Sequence, residues 1–498
     1  MRAPEELSRE ELIALVGDHA ARIAVQDKLI AELAAANEDL AARLARLEHL
    51  LSRNSTNSSM PPSKDDDPGK PAPVKPKRRR GSGRTKGKQP GAPGTYLAWT
   101  DDPDERVDRF PQGRCDCGAD LEGAADLGVV DRYQCHEIPE IAVTITQYEQ
   151  HQVRCGCGAV HTATRPEGAR SGPAAYGPNL QALAVYLLVV QYIPAHRVVA
   201  LLESLTGAAP SVGFVHGMLA RTATLLEEVD KRIRALITLA YAVCADETPL
   251  RAGAATPRPG RKKAEKYLLV ACTDLYTSYL VGDRDLDTFR TSVIAERDGA
   301  VLVHDRYRVY DSTKLGTFIH QLCCQHILRD LDGAAEVYPD AAWPTQIAQA
   351  LRGLIHHANL ARAAGAERIA PAVRDQLVDE FRHGVRVGLS DTTSRGDRPG
   401  ETKARCLLED LNDREADVLR FAHDLRVPPT SNQAERDLRP AKIQQNISGR
   451  LTSEKRTEDR YRIRGYLSTA VKHGHNALHA LREAILDHPW MPPDPAPA

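Results

Sequence analysis

The sequence predicts a multidomain α/β protein. Its centre is a mixed-sheet core that carries an all-α insertion, and a coiled coil, a small cysteine-bearing β module and a helical segment precede it. Three observations predict this. From residue 239 the pattern runs strand, strand, strand, helix, strand. Residues 7–52 repeat apolar positions every seven residues. Two Cys-X-Cys-Gly turns bracket alternating, strand-like runs.

The first segment, 7–52, is rich in Ala, Leu, Glu and Arg and contains no proline. Ile23, Ile30, Asn37, Leu44 and Leu51 fall seven apart, and Leu33, Leu40 and Leu47 fill the second apolar position. This is a coiled-coil seam, and it predicts a homo-oligomer. Asn37 at a core position would fix register at some cost in stability. A single amphipathic helix docked on the body is the other reading.

Residues 53–98 are dominated by Pro, Gly, Ser and charge, and predict a disordered linker. Lys70 to Lys88 contains nine cations and no acid, among them Lys77, Arg78, Arg79, Arg80 and Arg84. Net charge over the whole chain is only −1, so composition alone names no partner. The arm does: an acid-free basic segment binds polyanions by releasing counterions, and nucleic acid is the expected one.

Residues 99–167 predict a β module held by one structural Zn(II) on Cys115, Cys117, Cys155 and Cys157. Four thiolates leave no open coordination position, so catalytic zinc is not expected. Segment 174–238 is helical. Within it IPAHRVVALLESLTG and SVGFVHGMLARTA, with Ser211 as N-cap of the second, outline a helix-turn-helix. Two ordinary core helices joined by a short turn would look the same.

The core is predicted over 239–313 and 429–445. Asp246 falls in its first strand and Asp305 towards the end of its fourth. A right-handed crossover would set those strands side by side and let the two carboxylates converge. Residues 314–428 predict a helical insertion, with Cys323, Cys324 and His326 in its apolar packing. The chain then returns through VPPTSNQAERDLRPAKI, a short helix limited by Pro440. Glu435 in its first turn fits two roles. It could close a capping box with Asn432, or hold a metal near a phosphate beside Arg436 and Arg439. Residues 446–488 form a basic, DNA-facing and helical segment, followed by a disordered tail.

Asp246, Asp305 and Glu435 together offer hard oxygen donors suited to Mg(II) or Mn(II), and two such ions ~4 Å apart serve in-line phosphoryl transfer. G-x-x-x-x-G-K-[ST] is absent, so a nucleotide-driven motor is not supported. No run of eighteen apolar residues appears, so no membrane span is expected. The charged start MRAPEELSREEL is no signal peptide, and cytoplasmic residence follows by default.

The runs SRNSTNSSMPPSKD, ADETPLR, HDRYRVYD, CCQHILRDL and SNQAERDLRPAKIQQNISGR, in this order, carry a family likeness. The chain resembles the transposases of the insertion sequence 66 family, DDE enzymes with an RNase H-like core. The resemblance covers nearly the whole length. It implies Asp246, Asp305 and Glu435 as the catalytic triad with two Mg(II) or Mn(II) ions. It implies hydrolysis at the element's ends to release a 3′-hydroxyl, then attack of that hydroxyl on target double-stranded DNA. It also implies a bacterial, nucleoid-associated location, and it admits accessory transposition proteins. A catalytically inactive, transposase-derived DNA-binding protein is the alternative, and a nuclease that does not transfer strands is a third reading.

Overall fold

The computed structural model describes residues 8–52, 97–166, 172, 174–257, 265–297, 299–392 and 399–494. Two compact units are distinguished. One comprises Met1–Pro73, Thr146–Ser204 and Ala208–Ala498, the other Val74–Ile145 and Leu205–Gly207. The basic arm with Lys77, Arg78, Arg79, Arg80 and Arg84 lies outside the described residues. No described helix is long and apolar enough to cross a membrane.

Helix α1 spans Arg9–Ser52 without a break, as its Ala-, Leu- and Glu-rich composition favours. Ile23, Ile30, Leu33, Leu40 and Leu44 are all more than half exposed along it.

In the cysteine-bearing segment only β1 (Gln152–Arg154) and β2 (Val160–Thr162) form strands, paired antiparallel. The longer strand expected over IAVTITQYEQHQV is limited to its last two residues. Alternation alone does not make a strand. The backbone groups need a partner strand, and beyond the His151 carbonyl, which accepts from Ala163 N, no strand pairing is described further up the run.

Four helices follow: α2 (Pro178–Val189), α3 (Ala195–Thr206), α4 (Val212–Leu225) and α5 (Glu227–Leu239). Ser211 caps α4 as expected, its hydroxyl accepting from Phe214 N at 3.0 Å. Val215, Met218, Leu219 and Ala223 bury one face of α4.

The sheet is mixed and five-stranded: β3 (Ala242–Leu250), β4 (Lys266–Cys272), β5 (Thr277–Gly282), β6 (Val301–His304) and β7 (Ile319–Leu322). The spatial order is β5-β4-β3-β6-β7. β3–β4 and β4–β5 are antiparallel, whereas β3–β6 and β6–β7 are parallel. The fourth strand therefore lies beside the first, joined through the short helix α6 (Leu286–Arg290).

Both faces of the sheet are covered. Cys244, Leu268, Val270, Val303 and Leu322 pack towards α7 (Cys324–Val337), α8 (Trp343–Ala363), α10 (Pro399–Asp413), α11 (Glu415–His423) and α12 (Asn432–Ile447). Helix α9 (Pro371–Asp391) joins the same layer. Val243, Ala245, Leu269, Ala271 and Leu302 pack towards α2–α5, α13 (Glu454–Lys472) and α14 (Ala477–Ile485). This division follows the two-residue period of a strand.

Four expectations are corrected. The insertion does not begin at residue 314, because Ile319–Leu322 is the fifth strand, and a four-residue segment, IHQL, carries too little period to separate strand from helix. Pro440 does not end its helix. It lies inside α12, which packs on β3 and β4, and tertiary packing outweighs the lost N–H. The segment ISGRLTSEKRTEDRYRIRGY faces outwards only in part: Lys455 and Arg456 are exposed, but much of the rest is buried. In α13, Asp459, Arg460, Tyr461 and Ile463 are buried, and Arg460 donates to the Leu188 carbonyl. A Cβ at Gly465 would lie 3.1 Å from the Thr277 carbonyl oxygen, so glycine lets α13 close on β5. Finally, the tail is placed as far as residue 494, with Trp490 stacked on His473 and His475.

Candidate functional site

The site grows out of the β3–β6 register. Cys244 pairs with Val303; two residues further on, Asp246 lies within β3 and Asp305 lies just past the end of β6. Asp246 shares the strand face of Cys244, which lies under α7 and α12. Backbone amides fix each carboxylate. Asp246 Oδ1 accepts from Glu247 N and Asp305 Oδ1 accepts from Tyr307 N, both at 2.8 Å. Burial, and then the charges of Glu247 and Asp305, hold the Asp246 carboxyl well above the usual carboxylate range. The two aspartates therefore repel unless a cation joins them.

Glu435 enters from α12. Its amide donates to the Ser431 carbonyl at 3.1 Å, and its side chain turns towards α7. Oε1 lies 3.7 Å from His326 Nε2 and Oε2 lies 3.6 Å from Arg329 Nη2. The capping box is not formed. Ser431 rather than Asn432 precedes the helix and makes no side-chain cap, so Glu435 falls one position beyond the place a box requires. Oε1 of Glu435 is buried and hydrogen-bonds to no described residue.

His326 belongs to this site as well as to the core, and sequence reasoning assigned it only to packing. It starts α7, directly after β7. Burial opposes its charging, but Cys323 beside it and the Asp246 and Asp305 carboxylates outweigh burial and raise it to about 9. Cys323 is fully buried. Burial raises its thiol, yet His326 and the Ser431 N–H, 3.3 Å from its sulfur, bring it below the ordinary value. Cys324 packs without such partners, and burial pushes its thiol well up. The signal available in the sequence was C-x-x-H at a strand-to-helix junction.

Lys442, two turns beyond Glu435, was also missed. Burial lowers its ammonium, while Asp246 and Glu435 act to raise it. Arg436 and Arg439 are exposed on the same helix and form no ion pair among the described residues. Other acids of the insertion are engaged: Glu409 with Arg405, Asp410 with Arg306, and Glu415 with Arg382.

The two cysteine turns are alike. Cys115 N donates to Ala119 O and Gly118 N to Cys115 O. Cys155 N donates to Ala159 O and Gly158 N to Cys155 O. Gly118 and Gly158 have φ of +86° and +90°, which only glycine adopts easily. All four thiols are exposed, and the Cys117 and Cys157 groups lower the Cys115 and Cys155 thiols. Cys115 and Cys117 lie in one unit, Cys155 and Cys157 in the other.

Among the described residues, the ligand atoms of His304, Asp311 and His320 lie within 4.8 Å of one another, whereas those of Asp246, Asp305 and Glu435 do not all come that close. Two contacts of the histidine-bearing cluster are made within the protein, while the buried His304 Nδ1 has no hydrogen-bond partner among the described residues. The imidazoles approach each other at 2.9 Å, and Arg414 takes both Asp311 oxygens at 3.0 and 3.2 Å.

The family model described as "Transposase IS66 family" matches residues 173–459, more than half of the chain. A second, "Family of unknown function (DUF6444)", matches residues 6–98. No curated protein matches. Among solved structures the chain is similar to the Drosophila P element transposase strand transfer complex, at 9% identity and TM-score 0.33, over 62% of this chain and 94% of that one. It is also similar to the Mos1 strand transfer complex, at 12% identity and TM-score 0.13, over 51% and 81%. Likenesses this distant carry no functional conclusion.

Proposed function

The chain belongs to the transposase IS66 family, and on that premise we propose that it cleaves the ends of an insertion sequence and joins them to target DNA at Asp246, Asp305 and Glu435. The observation that carries this reading is the buried, hydrogen-bond-free Oε1 of Glu435, turned towards the element that also meets Asp246 and Asp305. Its nearest cationic neighbour, His326 Nε2, stands at 3.7 Å and makes no hydrogen bond to it, so this oxygen keeps its capacity to accept a bound cation. Three carboxylates are hard donors, and they fit Mg(II) or Mn(II) rather than a thiophilic ion. When bound, a pair of such ions supplies an activated attacking oxygen and a stabilised leaving oxygen.

The reaction is two in-line displacements at phosphorus. In the first, a water oxygen forms the new P–O bond, the bond to the 3′-oxygen breaks, and a 3′-hydroxyl is left at the element's end. In the second, that 3′-oxygen attacks a target phosphate and a target 3′-hydroxyl departs. Lys442, Arg436 and Arg439 on α12 hold the phosphates. The cations are exposed or half-buried and lie on the helix that carries Glu435, so DNA placed on them runs past the carboxylates. Arg329 and His326 hold the Glu435 side chain across from α7.

The remaining parts serve this chemistry. Lys77, Arg78, Arg79, Arg80 and Arg84 bind DNA without sequence preference. Cys115, Cys117, Cys155 and Cys157 hold one structural Zn(II), for which each turn supplies two exposed thiols. The apolar seam of α1 pairs with a second copy, which holds two DNA ends together.

The test is strand transfer with a candidate end sequence in Mg(II) or Mn(II). Asp246→Ala, Asp305→Ala and Glu435→Ala should each abolish product and leave DNA binding largely intact. Full activity in Glu435→Ala would remove Glu435 from the triad.

A further inference from the structure

Glu247 follows Asp246 directly and points to the opposite face of β3. Its side chain is 2% exposed, and both of its oxygens are taken. Arg284 Nε and Nη2 donate to Oε1 at 2.9 and 2.6 Å. The Tyr310 hydroxyl donates to Oε2 at 2.8 Å. Arg284 also stacks on the Tyr307 ring, 3.9 Å from its centroid. The Tyr307 amide is the donor that fixes Asp305 Oδ1. A closed circuit results: Asp246–Glu247, Glu247–Tyr310 and Glu247–Arg284, Arg284–Tyr307, Tyr307–Asp305. It joins β3 to the turn after β6 along the far face of the sheet, behind the two aspartates.

We infer that Glu247, with Arg284 and Tyr310, is a positioning residue that sets the spacing of the Asp246 and Asp305 carboxylates for metal binding. We assign Glu247 no ligand role, because it points to the strand face opposite Asp246 and its oxygens are held by Arg284 and Tyr310. A buried carboxylate beside two others costs stability through repulsion. The arginine and the tyrosine offset that cost here, so its placement needs an explanation other than packing. Residues behind metal ligands typically change affinity by about 10–100-fold when altered. The inference rests on the proposal that Asp246 and Asp305 are metal ligands.

The test measures Mn(II) alone, by the paramagnetic resonance signal of the free ion, on the full chain. The component lost in Asp246→Ala defines the site. Glu247→Gln, Tyr310→Phe and Arg284→Gln should each weaken that component by about tenfold, with an unchanged near-ultraviolet circular dichroism spectrum. Arg284→Gln separates position from charge, because removing a nearby cation should by itself tighten Mn(II) binding. Tighter or equal binding in Arg284→Gln, or unchanged binding in Tyr310→Phe, overturns the inference. If Arg284→Gln does not fold, Tyr310→Phe decides alone, since it removes one oxygen from a ring that stays packed. If the wild-type chain shows no Asp246-dependent Mn(II) binding, the three-carboxylate proposal falls first. Intact Asp246-dependent binding with indifferent variants sinks only the role of Glu247.

Discussion

Glu435 Oε1 on α12 stands 3.7 Å from His326 Nε2 on α7, so the carboxylate proposed as third in the site is held by a residue that sequence reasoning had placed in the core. His326 gives a pH signature in the metal-free protein, through Cys323 and the Asp246 and Asp305 carboxylates. The folded state raises His326 from 6.5 to about 9. Its contribution to stability is fully present below the unfolded value and is lost as pH rises through about 9. Denaturant unfolding in a chelator should therefore show stability falling between about pH 6.5 and 9. His326→Gln should flatten that limb. An identical limb in the variant would show that another group titrates there.

Asp330 ties the residue next to Asp305 to the helical insertion. It is 4% exposed, pairs with Arg306, and accepts from Lys403 Nζ of α10 at 2.5 Å. Removing one partner from a buried ion group leaves the other charges uncompensated. Asp330→Asn should cost about 3 kcal/mol of unfolding free energy. A loss below about 0.5 kcal/mol, the range of ordinary surface changes, would mean that solvent screens the group.

Packing inside the insertion is equally specific. A Cβ at Gly388 would lie 2.7 Å from Leu408 Cδ2 and 2.9 Å from Trp343 Cδ2. Gly388→Ala should destabilise the chain by about 1–3 kcal/mol, read from the denaturation midpoint. Wild-type stability would show that α9 and α10 separate more freely than this packing implies.

The seam of α1 predicts the assembly. Leu33→Asp with Leu40→Asp should convert the chain to a monomer in light scattering at micromolar concentration, because two charges would then face each other in the pair. An unchanged mass would place the interface elsewhere.

Zinc content separates the cysteine turns from the carboxylate site. Cys115→Ser and Cys155→Ser should each release about one equivalent of zinc by atomic absorption, since a tetrahedral structural site needs all four thiolates. Retention of zinc in either variant would exclude that cysteine.

Much of the core was legible because its signals are local. The short, largely apolar runs through 242–250, 266–272 and 277–282 marked three strands, and Ser211 marked the start of α4. The fifth strand was not legible, because Ile319–Leu322 is four residues long and runs straight into a helix. His326 and Lys442 were missed for a different reason. A buried histidine in an apolar helix and a lysine on a polar one carry no mark of what stands opposite them.

By itself, the sequence determined the elements and the chemistry available: two aspartates on strands, a glutamate opening a helix, paired thiols and an acid-free basic arm. These follow from residue type and short-range period, which act within a few residues. Only the tertiary structure decided which groups meet. The parallel register of Cys244 with Val303 brings Asp246 level with Asp305. The packing of α12 on the sheet turned Glu435 away from its own cap towards His326. Both are contacts between segments more than fifty residues apart in sequence, set by the burial of whole faces, and no local pattern encodes them.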